Sequence, residues 1–280
     1  MITIDVREGD LVGTFGYPDG DGPFSGVLAL GGSDGGIPEY FTRLLVPEGF
    51  ACLALAYFNT PETQPALVEV PLERVERGLR WMRAHPKVSA RADRLAVIGG
   101  SKGGELSLLV AATFPHLVGP LVAYTPSAIV WAGIDFSQPR GSMRSSWSLA
   151  GQPLSFVPYP AGVGPSSSDR GISVLPIYDR GLENVAAVDR AMIPIERVTG
   201  PVLLVSGGDD RMWPAERMCA MVVERAQRAG RVALVQHLNF PDAGHVLFPY
   251  EPHSSTGPMP PMRFDLGGSP ASARSAHAVA

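Results

Sequence analysis

Ser101, Asp210 and His245 have the types and local settings that nucleophilic acyl chemistry requires. A serine hydroxyl attacks poorly until a base removes its proton. An imidazole base works best when an acid fixes its tautomer and stabilises the imidazolium. Ser101 lies in "LAVIGGSKGGEL", an apolar run that enters glycines and then a helical pattern. Gly99-Gly100-Ser101-Lys102-Gly103 fits G-x-S-x-G, the sharp strand-to-helix turn that exposes a serine hydroxyl, in which a Cβ at either outer position would collide with a neighbouring element. A glycine-rich turn that only packs strand on helix would satisfy the same five residues, so the partners decide.

Asp209 and Asp210 follow the apolar run "PVLLVSGG", where an acid serving a base would sit. Asp210 is preferred, because the fourth residue of such a turn points back toward the site while the third faces solvent. A plain Asp-rich turn is the alternative. Six histidines are present. His85 and His116 neighbour prolines, His253 and His277 lie in a polar tail, and His237 falls inside a strand pattern that suits a structural role. His245, in "PDAGHVLFP", combines a position after the last strand with a preceding glycine. The chain order Ser101, Asp210, His245 is that of α/β-hydrolases.

A second glycine loop, "LALGGSDGG" at residues 28–36, follows an early strand. Backbone N–H groups there and at Lys102 would form an oxyanion hole, with Ser33 the expected donor and Gly32 or Asp34 the alternatives. Neither GK[ST] at Walker spacing nor G-x-G-x-x-G is matched, so phosphate cradling is disfavoured. No His, Cys and Asp cluster has metal-ligand spacing, and no cofactor is expected.

Catalytic groups of an open parallel sheet collect beyond the carboxyl ends of its strands, so the elements must supply such a sheet. "MITIDVREGDLVGTFGYP" reads as two strands joined near Gly9, and "FSGVLALGG", "FACLALAYF", "DRLAVIGG", "LVGPLVAYTP", "PVLLVSGGDD" and "RVALVQHLNF" as further strands. Helical spacing runs through Val70, Leu72, Val75, Leu79 and Met82, and again in "GGELSLLVAATFP" and "AERMCAMVVERAQRAG". Continuous apolar strands alternating with helices predict an α/β fold, a mostly parallel sheet covered on both faces. From about 132 to 198 the pattern breaks into Pro-, Gly- and Ser-rich chain, expected to be a lid or substrate-binding insertion within one domain spanning 1–280.

Composition restricts the partners. With 280 residues, 45% of them apolar, a large core can be buried. A formal charge of −4 gives no basic surface for nucleic acid. Cys52 and Cys219 sit among apolar residues as small hydrophobes, and no signal peptide or membrane span is evident, so a cytoplasmic location is expected. Oligomeric state is not readable, and a homodimer is compatible with these features.

Seven stretches together, "LGGSDGG", "GFACLALAYF", "DRLAVIGGSKGGELSLLVA", "PSAIVWAGI", "SSWSLAGQPLSFVPY", "IPIERVTGPVLLVSGGDDRMWP" and "FPDAGHVLFPYEP", resemble the catalytic domain shared by acyl-CoA thioesterases and bile acid-CoA:amino acid N-acyltransferases. The resemblance implies an α/β-hydrolase fold of dienelactone hydrolase type, with nucleophile, acid and base at Ser101, Asp210 and His245. It also implies acyl-coenzyme A thioesters as substrates. Conjugating members use cysteine at the elbow, so Ser101 implies hydrolysis. Better-known members begin with a β-sandwich domain, whereas about 30 residues precede the oxyanion loop here, and "FDLGGSPASARSAHAVA" resembles the start of a shortened last helix.

Phe136, Trp147, Leu154, Phe156 and Val157 of the insertion are candidates to line an acyl pocket or to form ordinary core. Arg140 and Arg144 are candidates to meet coenzyme A phosphates. The competing readings are a carboxylester or lactone hydrolase of the dienelactone type, an acyltransferase or cyclase that admits an amine or alcohol in place of water, and a catalytically inactive binding protein. The last has no use for the three residues together.

Overall fold

The computed structural model describes residues 1–89, 95–135, 137, 143–247, 263–269 and 271–272. The chain opens with an antiparallel hairpin of β1 (Ile2–Glu8) and β2 (Leu11–Tyr17), turned at Gly9 with φ +64°. There follow β3 (Ser25–Leu30), α1 (Glu39–Leu45), β4 (Phe50–Ala56), β5 (Val70–Pro71), α2 (Leu72–Ala84), β6 (Leu95–Gly100), α3 (Lys102–Thr113) and β7 (Leu121–Tyr124). The insertion holds β8 (Trp147–Leu149), β9 (Gln152–Pro153), β10 (Ser166–Ser168), β11 (Gly171–Ser173), α4 (Leu175–Gly181) and α5 (Val185–Ala191). The α/β rhythm returns with β12 (Val202–Gly207), α6 (Ala215–Arg228) and β13 (Val235–Phe240).

The main sheet has the order β1-β2-β4-β3-β6-β7-β12-β13. Only β2 runs against its neighbours; the pairs from β4 to β13 are parallel. Strand periodicity assigns side chains to the two faces. Leu28, Leu30, Leu53, Leu55 and Val97 pack with Val75 and Leu79 of α2, Leu106 and Leu109 of α3, and Met218 and Val222 of α6. Val27, Ala29, Cys52, Ile98 and Val205 turn the other way, against Tyr40 and Phe41 of α1. Burial on both faces explains the unbroken apolar strands. Cys52 and Cys219 are both free and buried, and burial pushes the Cys52 thiol up to about 12.

Two details depart from the sequence reading. Val70, placed by spacing in the helical face of α2, instead belongs to β5 and pairs with Trp147 of β8. The insertion is less irregular than its composition suggests: β5, β8 and β9 form a small sheet, β10 and β11 a hairpin, and Asn184 caps α5 by accepting the Ala187 N–H at 3.2 Å. Elements of two to seven residues are too short for a hydrophobic period to show. Among the described residues no helix is long and apolar enough to cross a membrane.

Candidate active site

Packing at the β6–α3 junction dictates the Ser101 conformation. A Cβ on Gly99 would lie 2.2 Å from the Gly103 carbonyl oxygen, and one on Gly103 would lie 2.2 Å from that of Gly31 and 2.3 Å from that of Leu30. Both positions of the G-x-S-x-G turn therefore exclude a side chain. Ser101 between them takes φ 56° and ψ −121°, a sparsely populated conformation for a non-glycine residue. Its N–H donates to the Tyr124 carbonyl at 2.9 Å and its carbonyl accepts the Glu105 N–H at 3.1 Å, which hold the strained turn in place.

The structure brings the three sequence-designated side chains into one line. His245 Nε2 lies 2.9 Å from Ser101 Oγ, and His245 Nδ1 lies 2.8 Å from Asp210 Oδ2. Asp210 and His245 are 4% and 8% exposed, so the pair is shielded from water. Asp210 Oδ1 accepts the N–H groups of Met212 at 2.8 Å and Trp213 at 3.2 Å. With Asp210 Oδ2 accepting a hydrogen bond from Nδ1–H, the ring's other nitrogen, Nε2, is left to accept from the Ser101 hydroxyl. Asp209, its neighbour, turns outward to Arg211 at 2.7 Å and to the Gly268 N–H at 2.9 Å.

Backbone contacts between strand ends carry the Asp210 and His245 loops together. A Cβ on Gly207 would lie 2.3 Å from the carbonyl oxygens of Ala243 and Gly244. His245 N–H donates to Leu266 O at 2.7 Å, and Thr125 Oγ1 donates to His245 O at 3.1 Å.

The loop after β3 lies alongside Ser101: a Cβ on Gly32 would be 3.6 Å from Ser101 Cβ. The Tyr57 hydroxyl donates to the carbonyls of Gly31 at 2.7 Å and Gly32 at 2.9 Å. Burial pushes the Tyr57 phenol up, keeping it a donor. The loop is further closed by Gly36 N–H to Phe58 O at 3.0 Å and by Asn59 Nδ2 to Asp34 O at 2.8 Å. Ser33 sits exposed at the rim of this loop, and Lys102 begins α3 directly after Ser101.

Other expectations fare differently. Trp147 does not line a pocket: it is fully buried, with Nε1 donating to Glu105 at 2.7 Å and its ring 5.6 Å from that of Tyr57. Val157 is buried core, while Leu154 and Phe156 are half-buried against it. Arg144 is committed to Glu69, with Nε 2.8 Å from Oε1, so it is already paired rather than turned to a phosphate. Phe136 and Arg140 lie outside the described residues. His237 has the structural role its strand position suggests, 2.7 Å from Ser206 Oγ.

Several residues that serve the site escaped sequence reasoning. Tyr57 and Thr125 fasten the glycine loop and the His245 loop, and Trp213 packs on His245. Lys102 and Glu105 form a buried ion pair. Burial pushes the Lys102 ammonium down and the Glu105 carboxyl up, each against the pull of its partner. The available signal was Glu105 itself, a lone acid in the otherwise apolar run "GGELSLLVAAT".

Residues 70–279 match the family described as BAAT / Acyl-CoA thioester hydrolase C terminal. The chain belongs to this family. Acyl-coenzyme A thioesterase 6 of Mus musculus is 31% identical over 271 residues, 94% of this chain and 58% of that protein. Acyl-coenzyme A amino acid N-acyltransferase 2 of Rattus norvegicus is 30% identical over 248 residues, covering 88% and 55%. This family member thus spans a little over half the length of the curated relatives it matches. Relatives include a peroxisomal and a mitochondrial thioesterase, so family membership assigns no compartment. The fold is that of the α/β-hydrolases. A dienelactone hydrolase-like promiscuous phosphotriesterase, P91 from metagenomic libraries, superposes with TM-score 0.55 at 16% identity, over 98% of this chain and 92% of its own.

Proposed function

We propose that this chain is a serine hydrolase of acyl-coenzyme A thioesters acting through an acyl-enzyme on Ser101. The observation that carries the reading is the unbroken line from Asp210 through His245 to Ser101, with heavy-atom separations of 2.8 and 2.9 Å. His245 Nε2 takes the hydroxyl proton as Ser101 Oγ attacks the thioester carbonyl. The tetrahedral oxyanion is held by the backbone N–H groups of Lys102 and Ser33, with the positive end of α3 behind it. Collapse expels the coenzyme A thiolate, which takes the proton from His245. Water, deprotonated in turn by His245, hydrolyses the ester and frees Ser101. Asp210 stabilises the imidazolium in both halves. The insertion at 132–198 is read as the substrate-binding part of a single α/β-hydrolase domain, and the half-buried Phe156 as a wall for the acyl group.

Family membership supports the thioester, and a serine nucleophile supports water over an amine as the acceptor. The test is to give the purified protein acyl-CoAs of graded chain length, with and without glycine or taurine, and to follow free thiol and conjugate separately. Thiol release that is independent of the amino acid and absent in Ser101→Ala is expected. Turnover of simple esters or lactones with no thiol release from any acyl-CoA would move the assignment to the dienelactone type, and conjugate formation would move it to acyl transfer.

A further inference from the structure

Lys102 has two roles in this fold, and the G-x-S-x-G turn accounts for one. Its backbone N–H begins the helix behind Ser101; its side chain is 2% exposed and turned away, toward the insertion. Nζ donates to both carboxylate oxygens of Glu105 at 2.8 Å and to Ser146 Oγ at 2.9 Å. It also lies 5.2 Å from the centre of the Trp147 ring. Glu105 Oε1 accepts the indole N–H of Trp147 at 2.7 Å and the backbone N–H of Trp131 at 3.4 Å. Ser146 Oγ is 3.0 Å from the Trp131 carbonyl and 3.1 Å from that of Ala132. All three ammonium protons thus have acceptors, two on one carboxylate and one on a hydroxyl.

Taking both charges out of water costs several kcal/mol per ion, and apolar side chains of similar volume commonly hold a core as well or better. Cohesion alone therefore gives no reason for charge at this place. What the charged cluster supplies is a single geometry, because its donors and acceptors are satisfied together only when α3 and two segments of the insertion are in register.

We infer that the Lys102–Glu105 pair is a positioning device that locks the first turn of α3 to Trp131–Ala132 and Ser146–Trp147, so that the oxyanion N–H and the base of the insertion move as one body. Both are positioning residues, with polar atoms directed to each other and to the insertion. The inference rests on the proposed serine mechanism in assigning the Lys102 N–H to the oxyanion hole.

The double variant Lys102→Met, Glu105→Gln removes both charges while leaving an amide oxygen to accept from Trp147. Two readouts are taken: steady-state hydrolysis of an acyl-CoA, and the rate at which a fluorophosphonate labels Ser101. The second requires the nucleophile and oxyanion hole but no thioester. Expected are a kcat about ten- to a hundredfold lower, labelling slowed by a similar factor, and little change in KM. Wild-type kcat and labelling rate in the folded variant would overturn the inference. Should the double variant fail to fold, Ser146→Ala cuts only the link from the ammonium to the insertion; slower labelling is expected, and wild-type labelling overturns the inference. A wild-type protein that is labelled rapidly yet cleaves no thioester defeats the proposed substrate instead, and the labelling rates of the variants still judge the lock.

Discussion

The indole of Trp213 packs edge-on against the imidazole of His245, with centroids 5.9 Å apart and planes at 74°. The same residue donates its backbone N–H to Asp210 Oδ1 and its indole N–H to the Thr125 carbonyl at 3.0 Å. One tryptophan thus restrains Asp210, His245 and the chain after β7. Trp213→Phe keeps an aromatic edge but loses the indole donor. Steady-state assays should show kcat lowered by about tenfold with KM little changed, as for small misplacement of a catalytic group. An unchanged kcat would show that the indole bond is dispensable.

Tyr57 should matter to catalysis without touching substrate. Tyr57→Phe leaves two loop carbonyls without their buried donor, a loss of about 1–3 kcal/mol. Chemical unfolding should register that loss, and kcat should fall because the loop bearing Ser33 is less firmly held.

Gly103→Ala should be severe, since its methyl would lie 2.2 Å from a backbone oxygen that cannot swing aside. Overpacking of this kind costs about 1–3 kcal/mol and occasionally more. Gly164→Ala is the matched control, with no atom within 4 Å of the added Cβ. Its melting temperature should stay at the wild-type value while that of Gly103→Ala drops.

His237 makes stability depend on pH. Ser206 Oγ donates to Asn239 Oδ1 at 2.9 Å, so it accepts from His237 Nε2–H, a bond that either form of the ring can make, and burial is what favours the neutral form. Burial pulls its pKa below the ordinary 6.5, only partly offset by Glu216. Between the lowered value and 6.5 the unfolded chain binds more protons than the folded one, so stability falls as pH drops below about 6.5. Urea unfolding at pH 7.5 and 5.5 should show this loss in the wild type and a smaller one in His237→Gln.

The strand ends were the legible part of the sequence. Ser101, Asp210 and His245 each stand where an apolar run meets glycine, and their order along the chain selects one fold. The helical faces of α2 and α6 were equally plain, because each has one buried side. Helix α3 has none to distinguish: every residue from Lys102 to Ala112 is buried, so no period marks Lys102 and Glu105 as partners. Trp147 illustrates the converse. Its aromatic bulk in a loop-rich stretch suggested a pocket wall, and only the tertiary pairing of β8 with β5 shows it to be core. Tyr57 and Thr125 act through bonds to distant backbone, which no local pattern records.

The most direct test of the central claim is intact-protein and peptide mass spectrometry after rapid acid quench of the protein mixed with an acyl-CoA. One acyl group per chain is expected, carried on the peptide containing Ser101, disappearing as free acid forms and never appearing in Ser101→Ala. Full hydrolysis with no adduct on Ser101, or undiminished thiol release by Ser101→Ala, would contradict it.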